Sequence, residues 1–300
     1  MKAMDDNLRN EVVRWQEKLF SRSIRRQVRL QKLKELLSVT SSQTCLEITA
    51  GDGIISAKLH ENGGSWTTLA TGPEAKTALE YFLDEEVSVL QGSTIDAPDQ
   101  SYDAVILIDA LERIRDDYAF IKECHRVLRP DGRLVINTAR KMPFCFGGCP
   151  LRSLLGLSWK ARELERPGYT AHEFFDVLKA GFDVPETDSY STCCVEVPGL
   201  LGEAVANKLL RGSYTLPGEE AGTEEFYHYT KLYALGSLGY PIMWLLSKLD
   251  ELLLFVLPGH NMAAKTKRRV WRARRTPVLM DGRSIAEAAI NTKIGTAAPF

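Results

Sequence analysis

The hydrophobic pattern of residues 45–138 changes period repeatedly, and this alternation constrains the fold more than any other feature of the chain. Cys45-Leu46-Glu47-Ile48 is a short strand that runs into Thr49-Ala50-Gly51-Asp52-Gly53, and a helical stretch follows from Ile54 to about Glu61. Asn62-Gly63-Gly64 is a turn, Trp66–Ala70 a second strand, and Pro73 opens a helix that runs to Leu83. Val87–Leu90 and Ala104–Ile108 are further strands, the latter almost wholly apolar, as a strand covered on both faces must be. Asp116–Leu128 reads as a helix closed by Pro130-Asp131-Gly132, and Arg133–Thr138 as a fifth strand. Strands that alternate with helices form right-handed βαβ units, hence a mostly parallel sheet with helices on both faces.

The flanking segments complete this frame. Residues 5–38 are helical, with Leu8, Val12, Val13, Trp15, Leu19 and Phe20 at helical spacing and Ser21 or Ser23 placed to cap a second helix. After the fifth strand, 140–168 is loop-rich, Thr170 caps a helix to about Leu178, and Phe182–Tyr190 is a sixth strand. Residues 195–258 are mainly helical, and Asn261–Lys267 is a short seventh strand. The expected domains are N-terminal helices at 1–40, an α/β domain at 41–268 whose 195–258 segment is a helical insertion or cap, and a C-terminal basic tail at 269–300.

Charge bears on partners. The net charge is -1, which excludes a globally basic polyanion binder, but it is unevenly spread. Residues 1–40 sum to +5, 41–120 to -11 and 261–300 to +7. The basic ends read as appendages to the sheet, the places where an anionic surface is met. In the tail the basic run holds Trp271 as its single aromatic, and no nucleic-acid-reading module is present, so nucleic acid is not an expected partner. With 44% hydrophobic and 26% charged residues, disorder and a disulfide scaffold are excluded. The N-terminus carries acids where a secretory signal needs an apolar run, so the expectation is a cytoplasmic protein with free thiols at its six cysteines. Cys145 and Cys149, with Cys193-Cys194, lack a zinc spacing, and no metal is expected.

Three segments in order, LEITAGDG at 46–53, YDAVILIDALERI at 102–114 and FIKECHRVLRPDGRLVINTAR at 120–140, resemble the class I S-adenosylmethionine-dependent methyltransferases, in particular the broad group of ubiquinone/menaquinone C-methyltransferase-like proteins. The RPGYT segment at 166–170 and GFDV at 181–184 match a subgroup with a long helical insertion and a return like LPGHNMAAKTKR at 257–268. The resemblance implies a doubly wound, Rossmann-like, seven-stranded, mostly parallel sheet, with S-adenosylmethionine as cofactor and S-adenosylhomocysteine as product. It implies that Glu47 faces the methionine ammonium group, that Gly51 and Gly53 let the main chain pass beside the cofactor, and that Asp109 lines the turn after the fourth strand. Arg113 stands where the family has a His. Thr49, Ala50, Thr71 and Ser93 complete the expected cofactor set.

Several positions depart from the family pattern. Thr49 replaces the first loop glycine, and a β-branched residue tolerates positive φ poorly, so this loop is expected to bend differently or to carry strain. Leu69-Ala70-Thr71-Gly72 lacks the acid that grips the ribose hydroxyls, and Ser93 stands where an Asp usually meets the adenine. Each lost contact is worth on the order of 1–3 kcal/mol. A catalytically inactive binding or scaffold protein on the same fold is therefore the alternative reading. A nicotinamide-binding enzyme is disfavoured, because the loop lacks G-x-G-x-x-G and Ala70 occupies the place of the ribose acid.

Methyl transfer needs no metal or enzyme nucleophile, so no catalytic residue is assigned. His125, His172, His228 and His260 are candidates by residue type alone. A small or lipid-like hydrophobic acceptor is expected over the strand ends, with Arg166, Tyr169, Tyr227 and Tyr240 as lining candidates, although packing is the simpler account of each. In Ile242–Leu257 the polar Ser247, Lys248, Asp250 and Glu251 fall on one arc of a helix that is otherwise apolar. A helix packed on the sheet or on a second copy is the simpler reading, and peripheral membrane contact through this helix and the basic stretch beyond it is the sharper one.

Overall fold

The computed structural model describes residues 6–38, 40–51, 53–83, 85–141, 149–157, 159–160, 164–209 and 223–269. Residues 1–268 group into one compact unit and 269–300 into another, of which only Arg269 is described. The basic tail and Trp271 therefore lie outside the described residues, as do Cys145 and the side chains of Cys149, Tyr227 and His228.

The chain runs α1 (Asp6–Phe20), α2 (Ile24–Leu37), β1 (Thr44–Thr49), α3 (Ile54–His60), β2 (Ser65–Ala70), α4 (Pro73–Leu83), β3 (Ser88–Val89) and β4 (Tyr102–Ile108). It continues through a 3-10 turn (Leu111–Arg113), α5 (Asp117–Val127), β5 (Leu128–Ala139), α6 (Cys149–Leu154), α7 (Ala171–Leu178), β6 (Phe182–Tyr190), α8 (Cys193–Leu209), α9 (Thr223–Leu253) and β7 (Asn261–Arg268). The seven strands form one sheet in the order β3-β2-β1-β4-β5-β7-β6. Pairing is parallel from β3 to β5, and β7 runs antiparallel to both β5 and β6. This is the expected doubly wound sheet, with α8 and α9 inserted before the last strand.

Alternation along the strands sorts the core. Leu46, Ile48, Val105, Leu107, Leu134 and Ile136 face α5 and α7, while Cys45, Ala104, Ile106, Ile108 and Val135 face α1, α2 and α3. A smaller cluster lies under α4 around Ala70, Leu79 and Val87. Helix α2 buries Leu30, Leu33, Leu36 and Leu37, which recur at i, i+3 and i+4 and form one face. The N-terminal helices are thus part of the main core, not appendages to it.

Two local expectations change. β5 begins at Leu128, not at Arg133: Leu128 pairs with Tyr102, Arg133 with Ala104, and the register shift between them accommodates the Pro130-Asp131-Gly132 segment. β3 is shorter than expected, at two residues. Among the caps, Thr170 makes a capping box with Glu173, and Asp116 accepts from the Ala119 amide. Ser23 sits at the N-cap of α2 without a side-chain cap bond, and the Ser21 hydroxyl instead donates to the Lys18 carbonyl.

Candidate cofactor site at the strand ends

The strand order reverses between β1 and β4, and ligands of doubly wound sheets bind beyond the strand ends at such a reversal. The loop after β1 is held there by its main chain. The Ala50 amide donates to the Ile108 carbonyl at 3.2 Å and the Thr71 amide to the Thr49 carbonyl at 3.1 Å. The expected strain at Thr49 is absent. Thr49 is the last residue of β1, it is not among the positive-φ residues, and its hydroxyl accepts from the Gly51 amide at 2.9 Å. A threonine here supplies a loop hydrogen bond that a glycine cannot.

The two loop glycines serve different ends. Among the described residues a Cβ on Gly51 would meet only the Thr49 hydroxyl, at 3.0 Å, so this edge of the loop is open toward them. Gly53 takes φ +83, and a Cβ there would lie 2.7 Å from the Phe82 ring and 2.9 Å from the Ala78 carbonyl. Gly53 is therefore required for the close packing of α3 on α4.

A cavity of about 540 Å³ opens beyond the ends of β2, β3 and β4. Thr71, Leu90, Gly92 and Ser93 line one side, and Arg113–Asp116 with Glu165 the other. Thr71 and Ser93, far apart in sequence, are brought together here. The Thr71 hydroxyl is buried with no hydrogen-bond partner among the described residues. Gly92, at φ +64, has open space where a side chain would be. Ala70 is buried in the core, and Glu74 is exposed and does not line the cavity. Asp116 and Glu165 also line it, which the sequence reading did not anticipate. Asp116 lies three residues past the Leu111–Arg113 turn and was within reach of that reading. Glu165 is carried in by the Glu165 amide donating to the Glu112 carbonyl at 2.9 Å, a pairing that no local pattern announces.

The other expected residues point elsewhere. Glu47 is fully buried toward α3: Ser56 donates to its Oε1 at 2.5 Å, and His60 Nε2 lies 2.9 Å from its Oε2. His60 stacks on Trp66 at 4.3 Å. Ser56 and His60 stand four residues apart on α3, and that i, i+4 spacing was the overlooked signal. Asp109, at φ +50, is held by Arg29 of α2 and accepts from Asn137 Nδ2 at 2.8 Å. Tyr190 in turn donates to Asn137 Oδ1. Burial alone would lower Arg29, but Asp109, Tyr190 and Glu196 together outweigh it and raise it. Alongside, Glu196 of α8 pairs with Arg25 Nε at 2.9 Å and accepts from Asn261 at 2.7 Å. Arg25 and Arg29 are thus turned inward over the strand ends rather than offered to an anionic surface.

Arg166 and Tyr169, expected beside the acceptor, are spent on packing. Arg166 pairs with Asp117 and donates to the Arg115 carbonyl at 3.0 Å, and the buried Tyr169 donates to Asp117 at 2.8 Å. Tyr240 lies under the Arg22 guanidinium, 5.1 Å from its ring centre. Of the histidines, His172 is exposed on α7, His125 packs edge-on against Phe182, and burial holds His260 below the usual imidazole range.

Comparison with known proteins adds the family. Residues 46–136 match the model of a methyltransferase domain. The ubiquinone biosynthesis O-methyltransferase of Xanthomonas oryzae pv. oryzae is 27% identical over 194 residues, which cover 63% of this chain and 78% of that protein. These matches support a class I S-adenosylmethionine-dependent methyltransferase. Among solved structures, the cyclase SpnF aligns over 81% of this chain and 80% of its own with a TM-score of 0.52 and 14% identity, which shows the fold alone.

The cofactor of this methyltransferase family is S-adenosylmethionine. The residues present fit such a group. The cavity is in the place the fold provides, it holds an unpartnered buried hydroxyl, and the backbone at Gly51 and Gly92 leaves room for close approach. Among the described residues no helix is long and apolar enough to cross a membrane.

Proposed function

We propose that this methyltransferase acts on a small or lipid-like hydrophobic acceptor, and that its cofactor lies along the strand ends from the Thr49–Gly53 loop into the cavity at Thr71 and Ser93. The observation that carries the cofactor assignment is the Thr71 hydroxyl, a buried polar group that lines the cavity and has no hydrogen-bond partner among the described residues. Such a group costs stability unless a ligand satisfies it. Thr71 and Ser93 take the role of hydrogen-bonding the cofactor's sugar and base, which relatives give to carboxylates, and Gly51 leaves room for its backbone approach.

When bound, the cofactor supplies a methyl group on a sulfonium, which passes by in-line displacement to the acceptor. The protein's task is then to align the two reactants and exclude water. Arg29 on Asp109 and Arg25 on Glu196 fasten α2 and α8 over the strand ends, and these links serve that exclusion. A hydrophobic acceptor is the reading that the relatives named for ubiquinone biosynthesis favour.

The test is transfer of the labelled methyl group from S-adenosylmethionine to compounds of a cell extract, leaving S-adenosylhomocysteine, followed by separation into solvent-soluble and water-soluble fractions. Label in the solvent-soluble fraction is expected. Label confined to water-soluble compounds, or to protein, contradicts the acceptor assignment.

A further inference from the structure

Helix α9 is built inside out. Asp250, a charged residue, is 4% exposed and is held by Thr192, whose amide donates to both of its oxygens at 2.9 Å and whose hydroxyl donates to Oδ1. Tyr229 is buried on the same helix, and Arg22 from the α1–α2 turn lies over the rings of Tyr233 and Tyr240. These contacts fix which side of α9 faces the protein. On the other side Leu235, Leu238, Ile242, Leu245, Leu249 and Leu252 are all exposed, Leu238 at 79%.

Their spacing is alternately three and four residues, a period of 3.5 kept across Pro241. That is the repeat of a helix seam that receives the side chains of another helix. Trp244 and Phe255 flank the seam and are also exposed. Covering this stripe would bury on the order of 1,000 Å² on this side, against the ~800 Å² that each partner contributes to a standard stable interface. A monomer rarely leaves an apolar patch of that size to water.

We propose that the exposed seam of α9 is the interface between two copies of this chain, related by a two-fold axis. A two-fold lets one patch cover itself, residue i against j and j against i. Charge agrees with this occupant. The helix holds two lysines and four acids, and at the seam Lys248 is already paired with Glu251 at 2.8 Å. Identical copies therefore meet without strong repulsion, whereas the helix itself offers no positive surplus to an anionic lipid surface.

The test is sedimentation velocity of the full chain at micromolar concentrations, with a Leu238→Glu/Leu245→Glu variant alongside. Both positions are exposed, so the variant keeps its fold, checked by circular dichroism. A dimer for the unaltered chain and a monomer for the variant are expected. A monomeric unaltered chain, or a variant that stays dimeric, overturns the proposal. So does flotation of the unaltered chain with phosphatidylcholine/phosphatidylglycerol vesicles that the double variant loses, since that assigns the seam to lipid.

Discussion

Thr71 is the residue on which the cofactor assignment turns. Its hydroxyl has no partner among the described residues, so Thr71→Ala is expected to leave the melting temperature unchanged or slightly raised. The same change is expected to weaken S-adenosylhomocysteine binding by about tenfold or less, the worth of one hydrogen bond near 1 kcal/mol. Calorimetric titration reads this directly, and an unchanged affinity contradicts the role given to Thr71. The two loop glycines separate ligand space from packing space. Gly51→Val fills the open edge of the loop and is expected to abolish binding while the fold persists. Gly53→Ala must push against Phe82 and the Ala78 carbonyl at a positive φ, and is expected to cost about 1–3 kcal/mol in denaturant unfolding. At this scale the sequence was only partly legible. Gly51, Thr71 and Ser93 could be named from their places in a recurrent pattern. The carboxylate of Glu47 could not be followed to Ser56 and His60, because its direction depends on a helix that packs from the other side of the loop.

Elements were more legible than side chains, because a period is written along the chain while a contact between distant segments is not. The alternation of strand and helix from β1 to β5 emerged with boundaries shifted by a few residues. β5 was the exception: Pro-Gly punctuation reads as a turn, yet the neighbouring strand absorbs it as an irregularity. In α9 the hydrophobic surplus was visible, but which face it turned to solvent was decided by Thr192 binding Asp250. Asp250→Ala removes that anchor and is expected to destabilise the protein by about 2–4 kcal/mol, measured by denaturant unfolding. Glu196 ties α2, α8 and β7 together. Burial alone would raise its carboxyl, but Arg25, Arg152 and Arg29 outweigh burial and hold it below the ordinary carboxylate range. A carboxyl lowered in the folded state contributes stability that is complete above its unfolded value, near 4.5, and is lost as pH falls toward the folded value. Thermal stability is therefore expected to drop on acidification below about pH 4.5. In Glu196→Gln that drop becomes shallower while stability at neutral pH falls; an unchanged acid profile contradicts the assignment.

At the scale of the whole molecule, the seven-stranded sheet and the place of its ligand follow from strand order, and the family follows from motifs inside that sheet. The uneven charge takes on a different meaning. The basic N-terminal helices, read as a surface for anions, spend Arg25 on the buried Glu196 and Arg29 on the half-buried Asp109. Sequence could show that these arginines exist; only tertiary packing shows what they face. The central claim is that the cavity beside Thr71 and Ser93 binds the cofactor despite the missing ribose acid at Ala70. Calorimetric titration of the full chain with S-adenosylhomocysteine tests it most directly. One site per chain is expected, with a stabilisation of about 2.7 kcal/mol at ligand 100 times above Kd, and with heat abolished in Gly51→Val. No heat and no melting shift at millimolar ligand would contradict the account.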